Sequence, residues 1–267
     1  MNRPVAVTSA YDLPENYQIP DHMARDLRRA DNFIQMSVLS AAAALAAAPG
    51  RDLPPENVGV YIGTAYGPLE TNFESLGSLI DDGEGQISPT LFSHSVYNAA
   101  AGYVARLLDI RGPALTITNY GWPLLIAMEE ARTAVAVGRI ERGIVIGVET
   151  YSELLADAYR RSYGTDTVPW YRNSVAWILD PAEQVDCSLC RLKTIGLVEA
   201  ECDPADFLTR NGERWSGPGL QEGGAPQPMA YAGAITGAVA AFPGAYTGKI
   251  SWQITAPFGR AEIVMEI

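Results

Sequence analysis

The sequence predicts an α/β layered fold, and two observations predict it. Apolar runs of β type alternate with helix-type segments along the first 180 or so residues. One of those runs, Ala114-Leu115-Thr116-Ile117-Thr118, breaks abruptly at Asn119-Tyr120-Gly121-Trp122-Pro123, and an Ala-rich helix (Leu124 to Val137) follows at once. In open α/β sheets such a strand-to-helix elbow presents one side chain at the mouth of a pocket, often a nucleophile aided by the helix N-terminus. The tip of this elbow holds no Cys, Ser or Lys.

In chain order, residues 1–20 carry Pro and Tyr without helical periodicity, and read as an extended arm with one short strand at Val5-Ala6-Val7. Asp31 is placed to cap a helix running to about Ala48, which Pro49-Gly50 stops. Val58 to Thr64 is a β-branched strand, and Ser75 to Asp82 a short helix broken by Gly83-Glu84-Gly85. Val96 to Asp109 reads as a small-residue helix, with Ser93 and Ser95 as N-cap candidates. Gly143 to Glu149 and Ser174 to Asp180 are continuous apolar runs, the pattern of strands buried on both faces. Cys190 to Ala200 is a further strand, and Asp206 to Pro228 a polar loop rich in Gly and Pro. Tyr231 to Phe242 is a small-residue helix, and Lys249 to Thr255 with Ala261 to Ile267 forms a closing hairpin.

Composition bounds the function. The 267 residues carry 19 Lys+Arg against 31 Asp+Glu, a net charge of −12, which excludes the basic footprint of a nucleic-acid binder. The apolar run Ala41 to Ala48 is too short to span a bilayer, so no membrane span is expected. The N-terminus lacks an apolar core of signal-peptide length, and three cysteines suit a reducing compartment; a cytoplasmic location is the expectation. Cys187-x-x-Cys190 has only Cys202 to add, short of the four ligands zinc needs, so no metal is expected and the pair reads as strand residues. No Gly-x-Gly-x-x-Gly or Walker-type loop is present, and no cofactor is expected.

Five motifs in order carry a resemblance. They are Arg28-Arg29-Ala30-Asp31-Asn32-Phe33, Val58 to Thr64, Ser88 to Gly102, Gly112-Pro113-Ala114-Leu115-Thr116-Ile117, and the strand ending Gly147-Val148-Glu149. Together they resemble the β-ketoacyl synthases of the thiolase superfamily over roughly Arg25 to Pro181, and Tyr231 to Ile267 looks like the end of such an enzyme, with Pro257-Phe258-Gly259-Arg260 near its usual Gly-rich turn. The resemblance implies a thiolase-like fold with a ketosynthase N-terminal-like domain over 1–185 and a shortened C-terminal portion over 186–267 packed on it.

The departures from the family are chemical. The position of its nucleophilic cysteine falls on Gly121, which has no side chain to carry an acyl group. The sequence holds only His22 and His94, and neither falls on the family's histidine motifs. The resemblance therefore implies a non-catalytic homologue similar to a chain-length factor, in heterodimer with a catalytic β-ketoacyl synthase of a type II polyketide or fatty-acid-like pathway, aryl polyenes being one product class. Tyr120 and Trp122 flank the vacant position and either line an acyl tunnel or fill the hole; His94 and Asn98 are further pocket candidates. Arg25, Arg28 and Arg29 either meet an acyl carrier protein or form a solvated helix face. Two alternatives stand beside this reading: a homodimeric scaffold that holds an acyl chain or carrier protein, and an enzyme with repurposed chemistry through His94 or Tyr120.

Overall fold

The computed structural model describes residues 2–83, 88–150, 152–164, 173–198, 207–214, 229–242, 247–256 and 259–267. Its strands are β1 (Val5–Asp12), β2 (Val58–Thr64), β3 (Ala114–Thr118), β4 (Arg142–Glu149), β5 (Asn173–Pro181), β6 (Cys190–Val198), β7 (Phe207–Arg210), β8 (Glu213–Arg214), β9 (Lys249–Ala256) and β10 (Gly259–Glu266). Its helices are α1 (Asp21–Leu27), α2 (Asn32–Ala47), α3 (Leu69–Asp82), α4 (Pro89–His94), α5 (Ala99–Leu107), α6 (Pro123–Ala136), α7 (Glu153–Tyr163) and α8 (Ala230–Ala240). Among the described residues the strands join in one sheet, ordered β3-β2-β4-β5-β1-β6-β10-β9-β7-β8. β2 runs parallel to β3 and β4, and the other pairings are antiparallel.

Two apolar layers sandwich the first half of this sheet. On one face, Val60, Ile62, Ile144, Ile146, Val148, Ala176 and Ile178 pack with α2 and α5. On the other, Tyr61, Val145, Val175, Trp177 and Leu179 pack with α6 and α8. Alternate residues of β4 and β5 thus feed opposite cores, which is why both strands are buried at every position. The second half, β6, β9 and β10, adds its apolar residues only to the core on the α6 and α8 side.

Local sequence signals explain most element boundaries. Asp31 caps α2 as expected, its Oδ1 accepting from Ile34 N at 2.8 Å while Oδ2 accepts from Thr71 Oγ1 at 2.6 Å, which ties α3 to the start of α2. The small residues Ala100 and Ala101 are buried in the cluster shared with α2, an internal helix contact. The expected Val96–Asp109 helix begins only at Ala99, because a separate α4 precedes it. Ser93 and Ser95 are not N-caps: their hydroxyls donate back to Thr90 O and Phe92 O as α4 ends, and Ser88 caps that helix.

β1 extends well beyond the expected Val5-Ala6-Val7, since β5 and β6 flank it on both sides. Its polar Thr8 interrupts the apolar pattern because Oγ1 donates to Asp180 Oδ2 at 2.6 Å. Asp180 is fully buried and also takes the Arg142 guanidinium through both oxygens, at 2.8 and 2.9 Å, and Arg51 Nη1 at 2.8 Å. That buried ion cluster clamps β1, β4 and β5 at the end of the sheet remote from Glu149. Helices α1 and α7 are additions to the sequence reading. So is the short β7–β8 hairpin within the expected 206–228 loop, whose residues 206 and 215–228, like Glu84, Gly85, Cys202, Pro257 and Phe258, lie outside the described residues.

Candidate functional site

The parallel strands β2, β3 and β4 end side by side at Thr64, Thr118 and Glu149, the end of an α/β sheet where ligands are bound. The chain then turns through Asn119 to Trp122 into α6. Asn119 makes that turn from within: its Oδ1 accepts from both Gly121 N and Trp122 N at 2.9 Å, while Asn119 N donates to Thr64 O at 3.2 Å. Pro123 opens α6 at a position where no backbone N–H is needed. Behind it the first helical turn presses on β2 so closely that a Cβ at Gly63 would overlap the Pro123 carbonyl.

The two aromatics flanking Gly121 go to different places. Trp122 is 4% exposed, belongs to the core on the α6 and α8 side, and meets the Tyr231 ring of α8 at 5.7 Å. Tyr120 is 44% exposed, and its hydroxyl lies 3.0 Å from that of Tyr159 on α7. Tyr159 Oη is in turn 2.8 Å from Tyr66 Oη, just past β2, and the Tyr66 and Tyr120 rings stand edge to face at 5.9 Å. Burial, reinforced by the neighbouring phenols, raises the Tyr66 hydroxyl above its ordinary pKa and keeps it protonated.

Glu149 anchors this end of the sheet. Its Oε1 accepts from Thr64 Oγ1 at 3.1 Å and from Ala65 N, and its Oε2 from Tyr66 N at 3.3 Å. Burial pushes the carboxyl up to about 8, with the three donors pulling the other way. Tyr231, buried nearby on α8, is likewise raised by burial.

The remaining candidates from the sequence are dispersed. His94 is buried as the last residue of α4, where its Nε2 lies 3.1 Å from Tyr103 Oη of α5 with the two rings edge to face. Asn98 is exposed at the start of α5 and makes no side-chain cap. Arg25, Arg28 and Arg29 are all exposed, in and just after α1. Cys187 is exposed, whereas Cys190 is buried with its sulfur 3.7 Å from that of Met265, and burial pushes its thiol up to about 12. A concavity of about 470 Å³ lies away from the elbow, on β6, β9 and β10 between Val198, Thr255 and Arg260.

Sequence reasoning passes over Tyr66, Tyr159 and the role of Asn119. Signals for two of them exist: Asn119 is an Asx-turn residue two places before the turn glycine, and α7 is bracketed by Ser152, which caps Leu155 N, and by Gly164, left-handed at φ 61°. Tyr66 carries no such signal.

Comparison with known proteins gives these geometries a context. Residues 16–160 match the family domain described as Beta-ketoacyl synthase, N-terminal domain. The 3-oxoacyl-[acyl-carrier-protein] synthase 2 of Vibrio harveyi is 27% identical over 150 residues, 55% of this chain and 36% of that protein. Its counterpart in Staphylococcus aureus (strain N315) is 31% identical over 113 residues, 41% and 27% respectively. The matched stretch spans between about a quarter and a little over a third of the length of these curated relatives. Among solved structures, a type II polyketide acyl-carrier protein in complex with its ketosynthase bound to the hexaketide superposes with a TM-score of 0.73 at 13% identity, covering 100% of this chain and 99% of that one. A ketosynthase in complex with its chain length factor from Xenorhabdus doucetiae superposes at 0.59 and 12% identity, over 99% of each chain. At these identities the likeness is one of fold, the thiolase-like fold of the ketosynthases. Among the described residues no helix is long and apolar enough to cross a membrane.

Proposed function

The chain belongs to the β-ketoacyl synthase family, and we propose that it acts there as a non-catalytic subunit of the chain-length-factor type, pairing with an active β-ketoacyl synthase and shaping the space into which the acyl chain grows. One observation carries the reading: the elbow has neither a nucleophile nor a free oxyanion site. Gly121 offers no side chain, and its N–H, with that of Trp122, is already bound by Asn119 Oδ1. A thioester carbonyl brought to this turn would find both donors occupied by the chain itself, so the polarising hydrogen bonds of acyl transfer are absent along with the attacking group.

The sheet edge supports a partner. Among the described residues β3 ends the sheet order, with β2 on one side only, and Leu115 on it is exposed. Phe92, Val96 and Tyr97, around the turn between α4 and α5, are large exposed apolar residues as well. A strand edge left open beside apolar side chains is a template for a second chain's strand. Arg25, Arg28 and Arg29 are exposed on an otherwise acidic protein, which fits them to an acidic carrier protein. The pathway class that accords with this reading is type II polyketide or fatty-acid-like synthesis, with aryl polyenes as one product class.

Native mass measurement on the tagged chain purified from its own host tests the pairing. A one-to-one complex with a Cys- and His-bearing ketosynthase chain supports the reading. A homodimer without that companion overturns it in favour of a scaffold. Incubation of the chain alone with acyl- and malonyl-carrier substrates is expected to yield no condensation, and turnover there would overturn the non-catalytic assignment.

A further inference from the structure

The concavity of about 470 Å³ on the second half of the sheet has the size of a small-molecule site. It lies on the face that, among the described residues, no helix covers. Its floor is two cross-strand rows. Val198, Arg260 and Thr255 are in register across β6, β10 and β9, and Gly196, Glu262 and Gln253 form the next row. Residues two apart along a strand share a face, so all six positions belong to the same side of the sheet.

Gly196 makes the hollow. It stands in mid-strand, where glycine costs stability, and nothing in the fold requires it there. Its φ is not positive, and a Cβ built on it would meet nothing within 4 Å. Polarity is graded across the strands. On the β6 side are the empty Gly196 position and Val198, which is 59% exposed. On the β9 side are Gln253 and Thr255, both able to donate hydrogen bonds. Arg260 lies between them, exposed, and among the described residues its guanidinium makes no ion pair, although Glu262 is two residues away on the same face. Glu262 accepts instead from Ser251 Oγ at 2.7 Å, and Ser251 pairs with Val264, one row further from Arg260. A planar fork of donors suited to a carboxylate or phosphate is thus left uncommitted beside an apolar hollow.

We propose that this concavity binds a small anionic amphiphile, an organic carboxylate or phosphate ester whose charged group takes Arg260 with Gln253 or Thr255 and whose apolar part lies over Gly196 against Val198. From β6 to β9 is two strand spacings, about 10 Å, which sets the ligand as a charged head with a short chain. The site is remote from the elbow, and the proposal is independent of the chain-length reading.

Isothermal titration calorimetry on the full chain tests it with octanoate, octyl phosphate, octylammonium and inorganic phosphate as probes. At least one of the two anionic amphiphiles is expected to bind saturably, and the tighter of them shows which head the site accepts. Octylammonium is expected not to bind, and inorganic phosphate to bind about tenfold or more weakly than the tighter amphiphile. Arg260→Gln should weaken that amphiphile by about tenfold or more, through loss of its charge-assisted hydrogen bonds. Gly196→Leu, whose Cβ has open space, should abolish binding by filling the hollow. No saturable binding of either anionic amphiphile overturns the proposal. Equal binding of octylammonium overturns it too, since an apolar surface alone would then suffice, and equal binding of inorganic phosphate removes the apolar part of the site. Unchanged affinity in either variant places the amphiphile elsewhere on the chain and also overturns the proposal. If Gly196→Leu fails to accumulate, Arg260→Gln decides alone.

Discussion

β4 and β10 are both eight-residue strands of the same sheet, yet they are written differently. Every residue of β4 is buried, whereas in β10 Arg260, Glu262 and Glu266 are exposed among buried Ala261, Ile263 and Met265. β6 and β9 follow β10, with Arg191, Lys193 and Gln253 exposed beside buried Leu192, Trp252 and Ile254. Among the described residues, helices cover β4 from both faces, while the second half of the sheet is covered from one. The alternation turns polar side chains to water where no helix layer stands. β6 departs from this alternation at its end, where Leu197 and Val198 are exposed.

Breaking the doubly covered half should cost most. Asp180→Asn leaves Arg142 and Arg51 facing a neutral group in a buried setting, and a loss of about 3–5 kcal/mol is expected from urea unfolding. A loss within the range of surface substitutions would mean that the clamp does not hold β1, β4 and β5 together.

Glu149 gives a smaller effect with a defined pH dependence. Its carboxyl is raised from 4.5 to about 8 in the folded chain, so between those values the fold holds a proton that the unfolded chain has released. Stability should fall as pH rises from about 4.5 to about 8 and level off above. Glu149→Gln should flatten that slope, a difference on the order of 4 kcal/mol between pH 5 and pH 8.5, from 1.36 kcal/mol per pKa unit. Urea midpoints at pH 5 and pH 8.5 check it; parallel profiles for the two chains would remove Glu149 as the titrating group.

The open face should respond least. Glu262 and Gln253 are cross-strand neighbours on it. Replacing them with Ile and Val should shift stability by no more than about 0.5 kcal/mol, while light scattering detects self-association of the newly apolar patch. A large loss of stability would show that this face is covered after all.

Much of the fold was legible because its determinants are local. β2 has the predicted bounds, and β4 and β5 announce their burial by uninterrupted apolar runs. Asp31 caps α2 because its side chain reaches a backbone only three residues on. What was misread depends on neighbours. β1 was underestimated because Thr8 looks unfit for a buried strand until Asp180, from a strand distant in sequence, binds it. β7 pairs with β9, a partner that no local pattern within residues 206–228 reveals.

The same division runs through the candidate site. That position 121 is glycine, that no cysteine or lysine stands at the elbow, and that the sequence holds only His22 and His94 are facts of residue identity, and the sequence alone determined them. That Trp122 belongs to the core while Tyr120 faces Tyr66 and Tyr159, and that Glu149 is buried enough to hold its proton near neutrality, were decided only in the tertiary structure. The reason is physical. Burial, proton affinity and hydrogen bonding across the sheet are properties of an environment, and residues as far apart as Tyr66 and Tyr159 share one only after folding brings α7 over the ends of β2 and β3.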